Sequence, residues 1–199
     1  MLQKKLILGS SSVYRKELLE RLGLTFSCVS ADIDETRHEG ESARDLCVRL
    51  AREKALKVRE THPDAVIIGS DQVAVLGETI LGKPHTHERA VKQVQAMQGQ
   101  TVEFLTALCV LDEKGQAFEA MVPTTVVMKT LKPETIEAYL RHEEPYNCAG
   151  SAKIERLGIA LMKEVRSTDP TALIGLPLIE TVNCLVRAGV EVLPGLGTE

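Results

Sequence analysis

The strongest constraint in this sequence is an unbroken apolar run, Ala65–Ile68, which follows His62-Pro63 and leads into Gly69-Ser70-Asp71-Gln72. An alternating strand can leave one face in water; an unbroken one suits a strand buried on both faces. The pattern continues into Val73–Leu76, so one long central strand is expected. Such a strand needs helices on either side, and the chain supplies them in alternation. Leu6–Leu8 reads as a short buried strand, followed by a helix over Val13–Leu22 that stops at Gly23. Phe26–Val29 is a second strand, and Ser42 is placed to cap a long helix reaching Glu60. Gly82-Lys83-Pro84 is loop, and a helix over His87–Met97 closes at Gly99. Val102–Leu111 and Ala117–Leu131 flank Asp112-Glu113-Lys114-Gly115, a hairpin signal. Pro133 opens a helix to Arg141, Leu157–Val165 reads as extended, and Pro177 opens a last helix to Ala188. The 199 residues fit one large domain or two lobes sharing a core, at ~150 residues per domain. A mixed α/β fold is therefore expected. It begins with alternating strands and helices, adds an antiparallel portion, and forms one compact unit with two lobes around a central cleft.

Composition removes several functions. The net charge of -4 argues against a general nucleic-acid binder, which carries a basic excess. Three Tyr, three Phe and no Trp leave an aliphatic core and no stacking platform for single strands. Lys4 and Lys5 precede only Leu6-Ile7-Leu8 before Gly9 and a serine run, too short for the ~7–15 apolar residues of a signal peptide. No stretch approaches a membrane span of ~20 apolar residues. Cys28, Cys47, Cys109, Cys148 and Cys184 form no C-x-x-C pair, so small reduced core residues and a cytoplasmic location are expected.

Six places carry candidate chemistry. Gly9-Ser10-Ser11-Ser12-Val13-Tyr14-Arg15 joins a strand to a helix and offers hydroxyls and free N–H groups of the kind that bind anions. Plain capping by Ser12 explains it equally well. A capping box would put Glu or Gln at position 15; Arg15 instead opposes the helix dipole, a conflict that a bound phosphate would resolve. Asp32-Ile33-Asp34-Glu35 is either a solvated acidic loop or material for Mg²⁺, which one or two carboxylates hold together with substrate phosphates. Lys54 shares a helix face with Cys47, Leu50 and Ala51, and so either snorkels or reaches a buried anion. Asp71 is the sharpest. It extends an apolar strand, where a carboxylate is costly unless paired or metal-bound, near the carboxyl end that open α/β sheets use for ligands. A turn aspartate is the alternative. Lys83 is stiffened by Pro84, and Gly150-Ser151-Ala152-Lys153-Ile154-Glu155 is a small-residue loop with a cation and a carboxylate. Neither G-x-x-x-x-G-K-[ST] nor G-x-G-x-x-G occurs.

Taken in order, Ser10-x-Ser12-x-x-Arg15, Asp34-Glu35, Arg52-Glu53-Lys54-Ala55, Gly69-Ser70-Asp71-Gln72-Val73, Gly82-Lys83-Pro84, Ala149-Gly150-Ser151 and Ile174-Gly175-Leu176-Pro177 resemble the Maf family of nucleoside triphosphate pyrophosphatases. The ordered set spans nearly the whole chain. Asp71-Gln72 with Glu155 is similar to the branch that acts on 7-methyl-GTP; the branch acting on dTTP and UTP has Asp-Thr and Gln there.

The resemblance implies an elongated mixed sheet of the Maf and inosine triphosphatase type with flanking helices. It implies hydrolysis between the α and β phosphates to give the monophosphate and pyrophosphate. Asp71 would be the general base, and Glu35 with Asp71 would hold Mg²⁺ or Mn²⁺. Ser10, Ser12, Arg15, Lys54, Lys83 and Lys153 would grip phosphates. Tyr14, Gln72 and Glu155 would set base choice, Glu155 accepting from guanine N1–H and the N2 amine and Tyr14 offering its face to the cationic methylated ring. A nucleotide substrate, a homodimer and no nucleic-acid or membrane partner complete the expectation. A nucleotide-binding regulator, a division-related interaction protein and a dTTP/UTP pyrophosphatase are the alternatives.

Overall fold

The apolar run becomes the central strand β3, Val66–Leu76, in a computed structural model that describes residues 4–197. Strand β1, Leu6–Leu8, pairs with it in parallel, Leu6 opposite Val66 and Leu8 opposite Ile68. The other edge of β1 takes the two-residue strand β2, Ser27–Cys28, also in parallel. Strands β4 (Thr79–Leu81), β5 (Thr101–Leu111), β6 (Ala117–Met128) and β7 (Met162–Ser167) complete a seven-stranded mixed sheet of order β2-β1-β3-β5-β6-β7, with β4 against β3.

The chain separates into two compact units. The first holds the residues up to Asp71, Thr106–Val122 and those from Asp169 onward; the second holds Gln72–Leu105 and Pro123–Thr168. The first unit is layered as an unbroken strand demands. Leu6, Leu8, Val66 and Ile68 point to one face, where Leu18 and Leu19 of helix α1 (Val13–Glu20) and Cys184 and Leu185 of helix α5 (Leu178–Arg187) bury them. The intervening residues Ile7 and Ile67 are fully buried and point the other way. Helix α2, Ala43–Arg59, covers that face, with Leu46, Cys47, Leu50, Ala51, Lys54, Ala55 and Val58 as its buried stripe. Ser42 caps it as expected: its Oγ accepts from Asp45 N at 3.1 Å and donates to Asp45 Oδ2 at 2.6 Å.

Helix α2 lies so close to β3 that their backbones touch. A Cβ on Gly69 would fall 2.2 Å from Ala51 O and 2.8 Å from Ala55 N. At Gly9 it would meet Ile68 O at 3.2 Å and Lys54 O at 3.4 Å. Only glycine admits this approach, and the approach sets the depth at which Lys54 enters the structure.

In the second unit, helix α3 (His87–Met97) is capped by Thr86, and helix α4 (Pro133–Glu143) opens on its proline as expected. The Asp112–Gln116 hairpin, which belongs to the first unit, also forms, Asp112 N donating to Gln116 O at 3.0 Å. Three expectations need correction. Leu157–Leu161 is a tight 3₁₀ turn and only Met162–Ser167 is extended. The alternating Leu157, Ile159 and Leu161 mimic a strand, but Gly158 folds the chain back so that its N–H donates to Lys153 O at 2.9 Å. The strand expected over Phe26–Val29 shrinks to the exposed pair Ser27–Cys28, because it pairs on one edge only. Cys28 is thus exposed and Cys148 half-buried, while Cys47, Cys109 and Cys184 are core residues.

Gly69→Ala is expected to cost at least about 2 kcal/mol of stability, since the methyl must push one backbone off another. Gly82→Ala, where the added methyl meets nothing within 4 Å, is expected to change stability by less than about 0.5 kcal/mol. Urea denaturation of the two variants measures both.

Candidate active site

The close packing at Gly69 decides the fate of Lys54. The lysine follows Ala51 by one turn on the same helix face, and its ammonium is carried to the residue two positions beyond Gly69 on the strand. Lys54 Nζ lies 2.6 Å from Asp71 Oδ1 and 2.7 Å from Glu35 Oε1. Lys54 and Asp71 are each only 7% exposed. Of the two outcomes open in the sequence, the lysine reaches a buried anion, and Asp71 is a paired strand carboxylate, not a turn residue. The Asp71 carbonyl also accepts from Cys47 Sγ at 3.3 Å.

Glu35 comes from a loop with no regular structure, and a second helix residue holds that loop. Arg49 grips Glu41 with two nitrogens, Nε to Oε1 at 2.6 Å and Nη2 to Oε2 at 2.9 Å, and Nη2 also donates to Thr36 O at 3.0 Å. This fork geometry is specific to arginine, and it holds the Glu41 carboxyl down at about 2. Nothing in the sequence singles out Arg49 or Glu41; their partnership depends on where the loop returns.

The serine-rich turn forms a second cluster. Ser12 caps α1, its Oγ accepting from Arg15 N at 3.4 Å, and Ser10 Oγ accepts from Ser12 N at 3.1 Å. The Arg15 side chain turns to the protein: Nε donates to Gly175 O at 2.8 Å and Nη1 to Ser10 Oγ at 3.4 Å. A carbonyl thus meets the cation that the helix dipole disfavours. The same carbonyl lies 3.0 Å from Ser70 Oγ, next in sequence to Asp71. Gly175 has φ +122°, which its neighbours in Ile174-Gly175-Leu176-Pro177 could not adopt without strain.

Two residues that sequence reasoning missed support this carbonyl. Helix α5 has no side-chain cap at Pro177. Buried Asp169 accepts from Ile179 N at 2.7 Å, and Thr171 Oγ1 accepts from Leu178 N at 2.8 Å. Asp169-Pro170-Thr171 is rich in turn formers, and that was the available signal.

The remaining candidates lie on three segments of the second unit and, for Tyr14, on α1 of the first. Lys83 is exposed on its loop and Gln72 is half-buried on β3. Lys153 Nζ donates to the carbonyl of Glu143, the buried last residue of α4. Glu155 is half-buried with Oε1 inside the protein. Tyr14, at the second position of α1 in the first unit, is half-buried.

The donor chemistry fits a divalent cation of the hard, oxygen-seeking kind. Glu35 and Asp71 each bring a carboxylate oxygen to within 2.7 Å of one point, the Lys54 ammonium. Among the described residues, no group of three or more His, Cys, Asp and Glu gathers to hold a metal. Glu35 and Asp71 would supply two carboxylates, and phosphate oxygens and water the rest, as is usual for Mg²⁺.

Both clusters lie just beyond the parallel-paired parts of β1 and β3, the end at which open α/β sheets bind ligands. A buried acid–base pair there, beside a hydroxyl-rich strand-to-helix turn, gives this mixed α/β fold the groups that a hydrolase uses. The chain belongs to the Maf family: the family model described as Maf-like protein matches residues 5–188. A 7-methyl-GTP pyrophosphatase of Pseudomonas fluorescens strain Pf-5 is 53% identical over 187 residues, 94% of this chain and 97% of the relative. One from Cupriavidus pinatubonensis is 52% identical over 186 residues, 93% and 94% of the two chains. A nucleoside-triphosphatase, dITP/XTP pyrophosphatase, from Mycobacterium abscessus aligns at TM-score 0.42 and 13% identity, covering 70% of this chain and 94% of its own. No helix among the described residues is long and apolar enough to cross a membrane.

Two outcomes are expected from this geometry. Lys54→Met strands the Asp71 carboxylate in the interior and is expected to cost about 3–5 kcal/mol. Glu35→Gln, at a half-exposed position, is expected to cost less than about 1 kcal/mol. Chemical denaturation separates them. The Glu41 clamp has a depressed carboxyl, so its contribution is fully present above the ordinary glutamate range and is lost only as pH falls through about 2. Amide exchange over residues 34–41 is expected to stay slow at pH 4 in the parent protein and to become fast in Arg49→Met.

Proposed function

We propose that the chain hydrolyses the α–β phosphoanhydride of a nucleoside triphosphate, and that the nucleotide is 7-methyl-GTP, releasing the monophosphate and pyrophosphate. The observation that carries this reading is the buried Lys54–Asp71 pair, 2.6 Å apart. A strand carboxylate beside a hydroxyl-lined turn is suited to take a proton from water attacking a phosphate. The names of the relatives that match along nearly the whole chain support the substrate.

In this mechanism Asp71 accepts the proton of the attacking water, and Lys54 fixes the carboxylate's orientation. Ser10, Ser12, Arg15 and Lys54 bind phosphate oxygens in the first unit, as Lys83 and Lys153 do in the second. Arg15 and Lys153 exchange their contacts with backbone carbonyls for the stronger ones with phosphate. Glu35 and Asp71 would hold Mg²⁺ or Mn²⁺, which would neutralise charge on the phosphates and assist departure of pyrophosphate. Glu155 and Gln72 pair with the guanine edge, and the charge of Glu155 matches the positive methylated ring. Tyr14 adds a ring face worth about 0.5–2 kcal/mol to a cationic base. A homodimer and a cytoplasmic location belong to the same proposal.

Pyrophosphate release is the test, measured on 7-methyl-GTP, GTP, dTTP and UTP with Mg²⁺ or Mn²⁺. The parent protein is expected to prefer 7-methyl-GTP, and equal rates on dTTP would overturn that assignment. Asp71→Asn keeps the shape but cannot take the proton, and is expected to lower kcat by about 10²–10⁴-fold. Glu155→Gln is expected to reduce kcat/KM for 7-methyl-GTP by roughly 10–150-fold, the worth of a charge-assisted hydrogen bond. Its effect on unmethylated GTP is expected to be smaller.

A further inference from the structure

The second unit carries a polar network that no role above uses. Gln93 lies on α3, one residue before buried Val94 and three after buried Ala90, at the flank of the helix's buried face. Its carboxamide spans two segments far apart in sequence. Nε2 donates to Gly82 O at 2.9 Å, and Oε1 accepts from Ser151 Oγ at 2.5 Å. The orientation is fixed by chemistry, because the Gly82 carbonyl can only accept and must face the amide's donor end. One side chain therefore joins the Lys83 loop to the turn that leads into Lys153 and Glu155.

The turn is also held elsewhere. Gly150 and Ser151 both take the left-handed conformation, at φ +66° and +52°. For a serine this is strained. The surroundings determine it: Ser151 is fully buried, and the site of a Gly150 Cβ would lie 3.3 Å from the Phe104 ring. Tyr139, buried on α4, donates its hydroxyl to Ser151 O at 2.9 Å, and the Tyr139 hydroxyl oxygen in turn accepts from Lys153 N at 3.0 Å. Backbone strain kept in place by a dedicated set of partners is a recurrent mark of functional segments.

We infer that Gln93 is a positioning residue that sets the Lys83 loop and the Ser151–Glu155 segment as one unit, with Ser151 and Tyr139 as its supports. The inference rests on the nucleotide reading above, in which these segments bring phosphate-binding and base-reading side chains to the substrate. Gln93 touches no substrate in this account; it governs where Lys83 and Glu155 stand. Losing it therefore weakens nucleotide binding and blurs base choice without removing the proton acceptor.

Two measurements test this, one of which needs no turnover. Hydrogen–deuterium exchange is followed over residues 80–87 and 149–157 in the parent, Gln93→Met and Ser151→Ala. Gln93→Met is expected to speed exchange in both segments. Ser151→Ala, nearly seventy residues from the Lys83 loop in sequence, is expected to speed exchange over residues 80–87 as well. No change there overturns the coupling, whatever the enzyme hydrolyses. In steady-state kinetics, Gln93→Met is expected to raise KM for 7-methyl-GTP about three- to tenfold, the worth of one or two neutral hydrogen bonds. The expected kcat stays within about twofold, and the ratio of kcat/KM between 7-methyl-GTP and GTP falls. A loss of kcat alone, or equal losses on both nucleotides, assigns Gln93 to stability and overturns the positioning role. A parent protein inactive on every nucleotide overturns the proposed function, together with the substrate half of this inference. The exchange result then still decides the coupling.

Discussion

The contact between the backbones of α2 and β3 at Gly69 governs the rest of the first unit. Hydrophobic burial brings a helix to a sheet, but at the usual spacing side chains keep the backbones apart. Here the strand has no side chain at the point of crossing, and Ala51 and Ala55 are the smallest helical residues that still have one. The helix settles deeper than a leucine-lined pair would allow. A lysine one turn along then reaches a strand aspartate with its ammonium, sheltered from solvent. Charge burial is costly unless the partners meet closely, so the glycine and the ion pair depend on each other. Loosen the packing and the pair opens to water; remove the pair and the tight packing buries an unmatched charge.

A similar dependence runs through Gly175. Its carbonyl accepts from Arg15 and lies within reach of Ser70, so the turn after β1, the middle of β3 and the approach to α5 share one acceptor. Asp169 and Thr171 hold that acceptor by supplying the cap that α5 lacks. The Ile174-Gly175-Leu176-Pro177 segment contributes backbone geometry to the site, with no side-chain chemistry of its own.

Much of this was legible in the sequence, because the strongest signals are local. The unbroken run at Ala65–Ile68, the Ser42 cap and the Pro133 helix start each follow from a few adjacent residues, and each forms as read. Asp71 and Lys54 stood out for the same reason, as charges continuing apolar patterns. Tertiary partners were not legible. Gln93 looks like any polar helix residue until its two acceptor and donor partners are known, and Arg49 until Glu41 folds back to it. The misread segment at Leu157–Val165 shows the limit of periodicity. Alternation of apolar residues marks a strand only if the backbone stays extended, and Gly158 allowed it to coil.

The chain passes between its two compact units at four points, and the first is the peptide bond between Asp71 and Gln72. Under the roles proposed for them, the residue that performs the chemistry and the residue that begins to read the base are covalent neighbours in separately packed bodies. Gln72 and Glu155 are packed in the second unit, and Lys54, Asp71 and Tyr14 in the first. Under these roles a change of nucleotide preference draws on both units, through Gln72 and Glu155 in the second and Tyr14 in the first.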